Sequence, residues 1–107
     1  MPPQWIDICG LTDIPVRGAR VVRFQGAEIG VFRTASGDVH AIDNRCPHKQ
    51  GPLSEGIVHD GAVTCPLHNM IIDLKSGMAR GADEGCVAVY PVEIRDGERV
   101  HIKLSAA

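Results

Sequence analysis

Two short runs carry the residues of this chain most able to do chemistry. They are Cys46-Pro47-His48 and, after sixteen intervening residues, Cys65-Pro66-Leu67-His68. Each run offers one thiolate and one imidazole. Iron–sulfur clusters are usually held by four thiolates, but in one class of [2Fe–2S] centre two histidines replace two cysteines on a single iron. The order Cys-x-His, Cys-x-x-His suits that ligation, with Cys46 and Cys65 on one iron and His48 and His68 on the other. Each run would then straddle the cluster from its own side. Pro47 and Pro66 stiffen the runs by fixing φ. Gly51 and Gly56 let backbone pass close to sulfide. Loop N–H groups remain free to bond the sulfurs and tune the potential.

Zinc is the competing metal. Two cysteines and two histidines also make a closed structural zinc site, but the familiar finger places both cysteines before both histidines. Alternation of the two types favours iron–sulfur. A zinc-stabilised interaction module, colourless and without redox chemistry, stays open as the alternative of another class.

The string CPHKQGPLSEG, followed by VTCPLHN and IDLKSG, resembles the Rieske [2Fe–2S] ferredoxin-type family, and the resemblance runs over nearly the whole chain. It implies a Rieske [2Fe–2S] cluster held by Cys46, His48, Cys65 and His68. Asp73 and Gly77 match the aspartate and glycine that usually follow the second ligand run. Three positions depart from the pattern: Asn69 stands for the common glycine, Ile72 for an aromatic, and Leu67 lies between Pro66 and His68. Respiratory Rieske proteins carry an extra cysteine at that last position, paired with one in the first run; Leu67 removes that disulfide. They also place Ser and Tyr hydroxyls two and four residues after the second histidine, where this chain has Met70 and Ile72. The resemblance therefore implies a potential toward the low end of the Rieske range, which spans about −150 to +300 mV.

Within the family, the chain is most like the small subunit of assimilatory NAD(P)H-dependent nitrite reductase. Gly51-Pro52-Leu53-Ser54-Glu55-Gly56, Cys65-Pro66-Leu67-His68-Asn69 and Asp83-Glu84-Gly85-Cys86-Val87 carry that likeness. The alternative is the ferredoxin component of an aromatic-ring-hydroxylating dioxygenase system. Either way the resemblance implies a one-electron carrier, an electron-transfer subunit without substrate chemistry of its own. The chain has no G-x-G-x-x-G nucleotide fingerprint, so electrons are expected from a larger redox protein or subunit. Exposed histidines would be the exit for the electron, and the surface around His48, Gln50, exposed Leu67 and His68 is expected to dock that partner.

Composition agrees with a carrier. The 107 residues bound one domain, and the net charge of −2 argues against nucleic acid or anionic membrane as partner. No apolar run approaches the roughly 18 residues of a membrane helix, and the N-terminus shows no signal peptide. A cytoplasmic location is expected. In that reducing compartment Cys9 and Cys86 should be unpaired, each a small buried hydrophobe. His40, His59 and His101 are expected to be exposed or structurally bonded, and Trp5 and Tyr90 to serve packing. Arg17, Arg20, Arg23 and Arg33 are expected to be surface charges.

The elements that must position the two runs read as short strands between turn residues, which gives an all-β fold. Strands are expected over Trp5–Ile8, Arg20–Gln25, Glu28–Arg33, Val39–Ile42, Ala62–Cys65, Met70–Leu74, Val87–Ile94 and Arg99–Leu104. Turn signals are Gly26, Ala35-Ser36-Gly37-Asp38 and Asp96-Gly97. The resemblance implies the Rieske iron–sulfur fold: a single domain over 1–107, with a basal antiparallel β-sandwich (about 1–42 and 86–107) and an inserted cluster-binding subdomain (about 43–85).

Overall fold

The computed structural model describes residues 3–45, 52–66, 70–80 and 85–104. Ten strands run in chain order: β1 Gln4–Gly10, β2 Ala19–Phe24, β3 Ala27–Arg33, β4 Val39–Asp43, β5 Ile57–His59, β6 Ala62–Thr64, β7 Ile71–Asp73, β8 Val89–Tyr90, β9 Val92–Arg95 and β10 Arg99–Leu104. They form three antiparallel sheets, ordered β1-β10-β9, β2-β3-β4-β8 and β5-β6-β7. The architecture is all-β, with the small β5-β6-β7 sheet inserted in the chain between β4 and β8 of the four-stranded sheet.

The four-stranded sheet is the wall shared by two cores, and strand β3 shows why. Ile29, Gly30, Val31 and Phe32 are all buried, so β3 is apolar on both faces rather than alternating with polar residues. Because successive side chains point to opposite faces, Ile29 and Val31 join one core and Phe32 the other. Ala41 and Ile42 on β4 divide the same way. The basal core adds Cys9, Ile14, Val100, Ile102 and Leu104. The second core adds Leu53, Val58, Val63, Cys65, Met70, Ile72 and Leu74, all from the stretch around the two Cys–His runs. Each fully buried large aliphatic here is worth about 1.5–3 kcal/mol.

Three details differ from the sequence expectations. Strand β5 was not foreseen; it pairs with β6 through a tight turn at Asp60-Gly61, both with positive φ. Val87–Ile94 is not one strand. Pro91 separates β8, which extends the four-stranded sheet, from β9, which joins the other basal sheet. Proline has no N–H to give a ladder, so the chain changes sheets there. Arg33 is not an ordinary surface charge: its guanidinium donates to the Leu11 and Ile14 carbonyls at 3.4 and 3.1 Å and ties the strand to a 3₁₀ turn at Leu11–Asp13.

Candidate metal centre

The described residues that flank the two runs are built differently. Strand β4 delivers Asp43, Asn44 and Arg45 to the start of segment 46–51. On its far side Pro52 pairs with Arg45 in an antiparallel bridge, and Leu53–Glu55 forms a 3₁₀ turn. The Asn44 carbonyl accepts the Leu53 N–H at 3.3 Å and its side-chain Oδ1 accepts the Ser54 N–H at 2.6 Å. The mouth of the first segment is thus closed by polar bonds.

The second segment opens at Cys65, directly after β6, and closes at Met70, directly before β7. The Cys65 N–H donates to the Met70 carbonyl at 2.7 Å, a backbone bond that joins the two feet of the second segment. Cys65 is fully buried and Met70 almost so. Both belong to the apolar cluster that also holds Leu53 from the foot of the first segment. Gly56 brings the two feet together, since a Cβ there would collide with the Thr64 carbonyl oxygen and lie 3.0 Å from Val63 Cγ2. Only glycine permits that approach.

Around these feet the polar groups are largely paired. Asp73, just after the second segment, accepts the Lys75 and Ser76 N–H groups and two bonds from Arg80, at 3.2 and 2.7 Å. The Arg80 hydrogen bonds, then the Ser76 N–H, hold the Asp73 carboxyl down at about 2. Arg80 also donates to the Asp60 carbonyl at 3.0 Å, which ties the β7 turn to the β5–β6 turn. Gly77, with φ of 76°, completes the β7 turn where a Cβ would strike the Val87 carbonyl. His59 Nε2 lies 2.6 Å from Thr64 Oγ1 and Nδ1 lies 3.1 Å from Asp60, so this histidine is structurally bonded. Tyr90 donates to Asp43 at 2.8 Å; burial, then that bond, pushes its phenol up to about 12.

Of the four candidate ligands, Cys65 lies among the described residues. Cys46, His48 and His68 lie outside them, as do Lys49, Gln50, Leu67, Asn69, Asp83 and Glu84. Among the described residues no three His, Cys, Asp or Glu side chains converge as a metal site. The described parts fit a cluster held from two sides: both segments rise from one apolar cluster, and the cysteine at the second foot is in it.

Residues 4–103 match the Rieske-like [2Fe-2S] domain family. The chain belongs to this family. Its cofactor is a Rieske-type [2Fe–2S] cluster, and the Rieske-like chain is a ferredoxin-type electron carrier. It is 34% identical over 106 residues to the ferredoxin component of a naphthalene 1,2-dioxygenase system from Pseudomonas aeruginosa, covering 98% of this chain and 100% of that protein. It is 46% identical over 57 residues to 4beta-methylsterol monooxygenase of Methylococcus capsulatus, a stretch that is 53% of this chain but 15% of that enzyme. Its fold superposes with a TM-score of 0.87 on a Mycobacterium tuberculosis protein assigned as the small subunit of an NADH-dependent nitrite reductase, at 25% identity and 98% coverage of both chains.

The remaining expected roles divide. Cys9 is buried, and burial raises its thiol pKa. Cys86 is exposed, contrary to expectation, and bridges Met78 at the sheet margin instead of entering the core. Trp5 is half-buried on β1 with Arg95 and Lys103 at 5.8 and 6.0 Å from its ring. His101 is mostly covered and lies 3.9 Å from Asp7. Asn44, buried at the foot of the first segment, was not singled out from the sequence. No helix among the described residues is long and apolar enough to cross a membrane.

Proposed function

We propose that Cys46 and Cys65 hold one iron of the Rieske-type cluster and His48 and His68 the other. We further propose that the chain is the electron-carrying small subunit of an NAD(P)H-dependent nitrite reductase. The observation that carries the ligand assignment is the common apolar cluster from which both segments rise, with Cys65 buried in it. When bound, such a cluster accepts and gives one electron at a time. The protein's own part is to hold the two segments at fixed separation, keep Cys65 dry, and leave the chemistry on substrate to its partner. That partner is a larger redox subunit, with neither nucleic acid nor membrane involved, and the pair works in the cytoplasm. The region from about 43 to 85 is the cluster-binding unit and the rest of the chain its base.

The nitrite reductase assignment is supported by the runs from Gly51 to Gly56 and from Asp83 to Val87, and by the fold match over 98% of both chains. The whole-length likeness to a dioxygenase ferredoxin favours a second reading, a diffusible carrier between a reductase and an oxygenase. Both readings share a low potential. Met70 and Ile72 occupy the positions where high-potential relatives carry hydroxyl donors, and both are buried in the apolar cluster.

The first test is the visible spectrum with iron, sulfide and zinc analysis on one sample. A red-brown protein with about two irons and two sulfides is expected. A colourless protein with about one zinc would replace the ligand assignment by the interaction module. Electron delivery to a nitrite reductase large subunit, compared with a ring-hydroxylating oxygenase, then decides the system.

A further inference from the structure

Asn44 is one of two buried polar or charged residues among those described, with 2% of its surface exposed, and all its polar groups are used. Its N–H donates to the Glu28 carbonyl at 2.9 Å, and its Nδ2 donates to Glu28 Oε2 at 3.3 Å. Its carbonyl takes the Leu53 N–H, and its Oδ1 takes the Ser54 N–H at 2.6 Å. These last two donors are the first N–H groups of the 3₁₀ turn Leu53–Glu55. A helical turn leaves its first N–H groups without internal partners, and a side-chain oxygen at the N-cap usually takes one of them. The N-cap here is Pro52, which has no such oxygen. Asn44 supplies the missing cap from the opposite side of segment 46–51. Room for it comes from Gly30, where a Cβ would lie 3.3 Å from Asn44 Oδ1 and 2.6 Å from the Phe32 ring.

We propose that Asn44 is the positioning residue of the first ligand segment. Anchored on Glu28, it ties the end of β4 to the Leu53–Glu55 turn and so fixes the separation between the chain entering and the chain leaving 46–51. The inference rests on the ligand assignment above. It asks more of Asn44 than packing, because one amide must donate to β3 and accept from the 3₁₀ turn at once. Aspartate keeps the acceptor but sets a second carboxylate oxygen against Glu28. Pairing Asn44→Asp with Glu28→Gln returns a donor to that contact, with the direction of the bond reversed.

The test follows iron release from the cluster-loaded protein to a ferrous chelator, with the reduced-state electron paramagnetic resonance spectrum as a second readout. Asn44→Ala should release iron about tenfold faster, the loss expected when a buried N–H is left without its acceptor. Its resonance lines should broaden as the ligands lose a single arrangement. Asn44→Asp should behave likewise, and Asn44→Asp with Glu28→Gln should recover most of the difference. Val100→Ala, a cavity in the basal core far from the segments, controls for stability alone. It should leave both the spectrum and the release rate at 25 °C near wild type. Equal effects from Val100→Ala and Asn44→Ala, or no rescue in the double variant, would overturn the proposal. So would wild-type release and spectra in Asn44→Ala. A wild-type protein without iron would instead bring down the ligand assignment on which it rests.

Discussion

The two Cys–His segments are flanked by closures of different kinds. Both are joined at their feet by a backbone bond, but the first adds a buried side-chain amide reaching across its mouth, whereas the second has Cys65 and Met70 sunk in apolar side chains. A polar closure is directional and fails when one partner is removed, because the other is left buried and unpaired. An apolar closure is non-directional and tolerates change that conserves volume. The first segment should therefore be exacting in chemistry and the second exacting in shape.

The largest expected effect sharpens the contrast between two buried cysteines. Cys65→Ser should abolish the visible absorption of the cluster, since a serine at the second foot replaces the proposed thiolate. Cys9→Ser buries a hydroxyl in the basal core and should cost about 1–3 kcal/mol while keeping the colour. Spectra of the two variants beside their thermal midpoints make the check. A coloured Cys65→Ser protein would remove that cysteine from the ligand set.

Next in size is the contact where the two feet meet. Gly56→Ala would push a methyl into the Thr64 carbonyl, which is backbone and cannot rotate away. The expected loss is about 2–3 kcal/mol, as for overpacking in a tight core. Urea unfolding should show it, with faster iron loss in parallel. If stability falls but iron release is unchanged, the two feet are not coupled through this contact.

The sequence exposed the chemistry of the site more fully than its mechanics. The Cys–His runs stood out because residue type and spacing can be read without the fold, while three of the four candidate ligands lie outside the described residues. Most strands were legible from turn residues and short apolar runs, yet β5 was passed over although Asp60-Gly61 is a strong hairpin signal. Val87–Ile94 read as one strand because its apolar pattern continues across Pro91; which sheet each half joins depends on partners distant in sequence. Cys86 read as buried because cysteine usually is, but its neighbours across the bridge leave it at the margin. Asn44 and Arg33 carry no local sign of their roles. Their partners lie nine or more residues away, so only the folded chain discloses them.

A smaller effect separates the second segment's electrostatic support from its packing. The Asp73 carboxyl is held at about 2, against an ordinary value of 3.8, chiefly by Arg80. A depressed carboxyl contributes stability that is fully present above its unfolded value and is lost as pH falls through its folded one. That contribution should be complete at neutral pH and disappear between about pH 4 and pH 2. Both side chains are partly exposed, at 27% and 38%, so solvent screening limits it to about 1–2 kcal/mol. Asp73→Asn should therefore lower urea stability by that amount at pH 7 and converge with wild type near pH 2. A gap that persists unchanged at pH 2 would point to lost turn bonds to Lys75 and Ser76 rather than to charge.

The smallest effect tests the contrast itself. Met70→Leu exchanges one flexible apolar side chain for another of similar volume at the foot of the second segment, and its backbone carbonyl still accepts the Cys65 N–H. It should cost less than about 1.5 kcal/mol and leave iron release near wild type. Asn44→Leu is also close in size, but it removes both side-chain bonds, leaving the Ser54 N–H without its acceptor and the half-buried Glu28 without the Asn44 donor. It should cost more than Met70→Leu and speed iron release, although both changes place leucine at a buried foot. Urea midpoints and chelator kinetics of the two variants, measured side by side, decide it. Equal costs would mean that the polar mouth is held by packing after all, and that the two segments differ only in sequence.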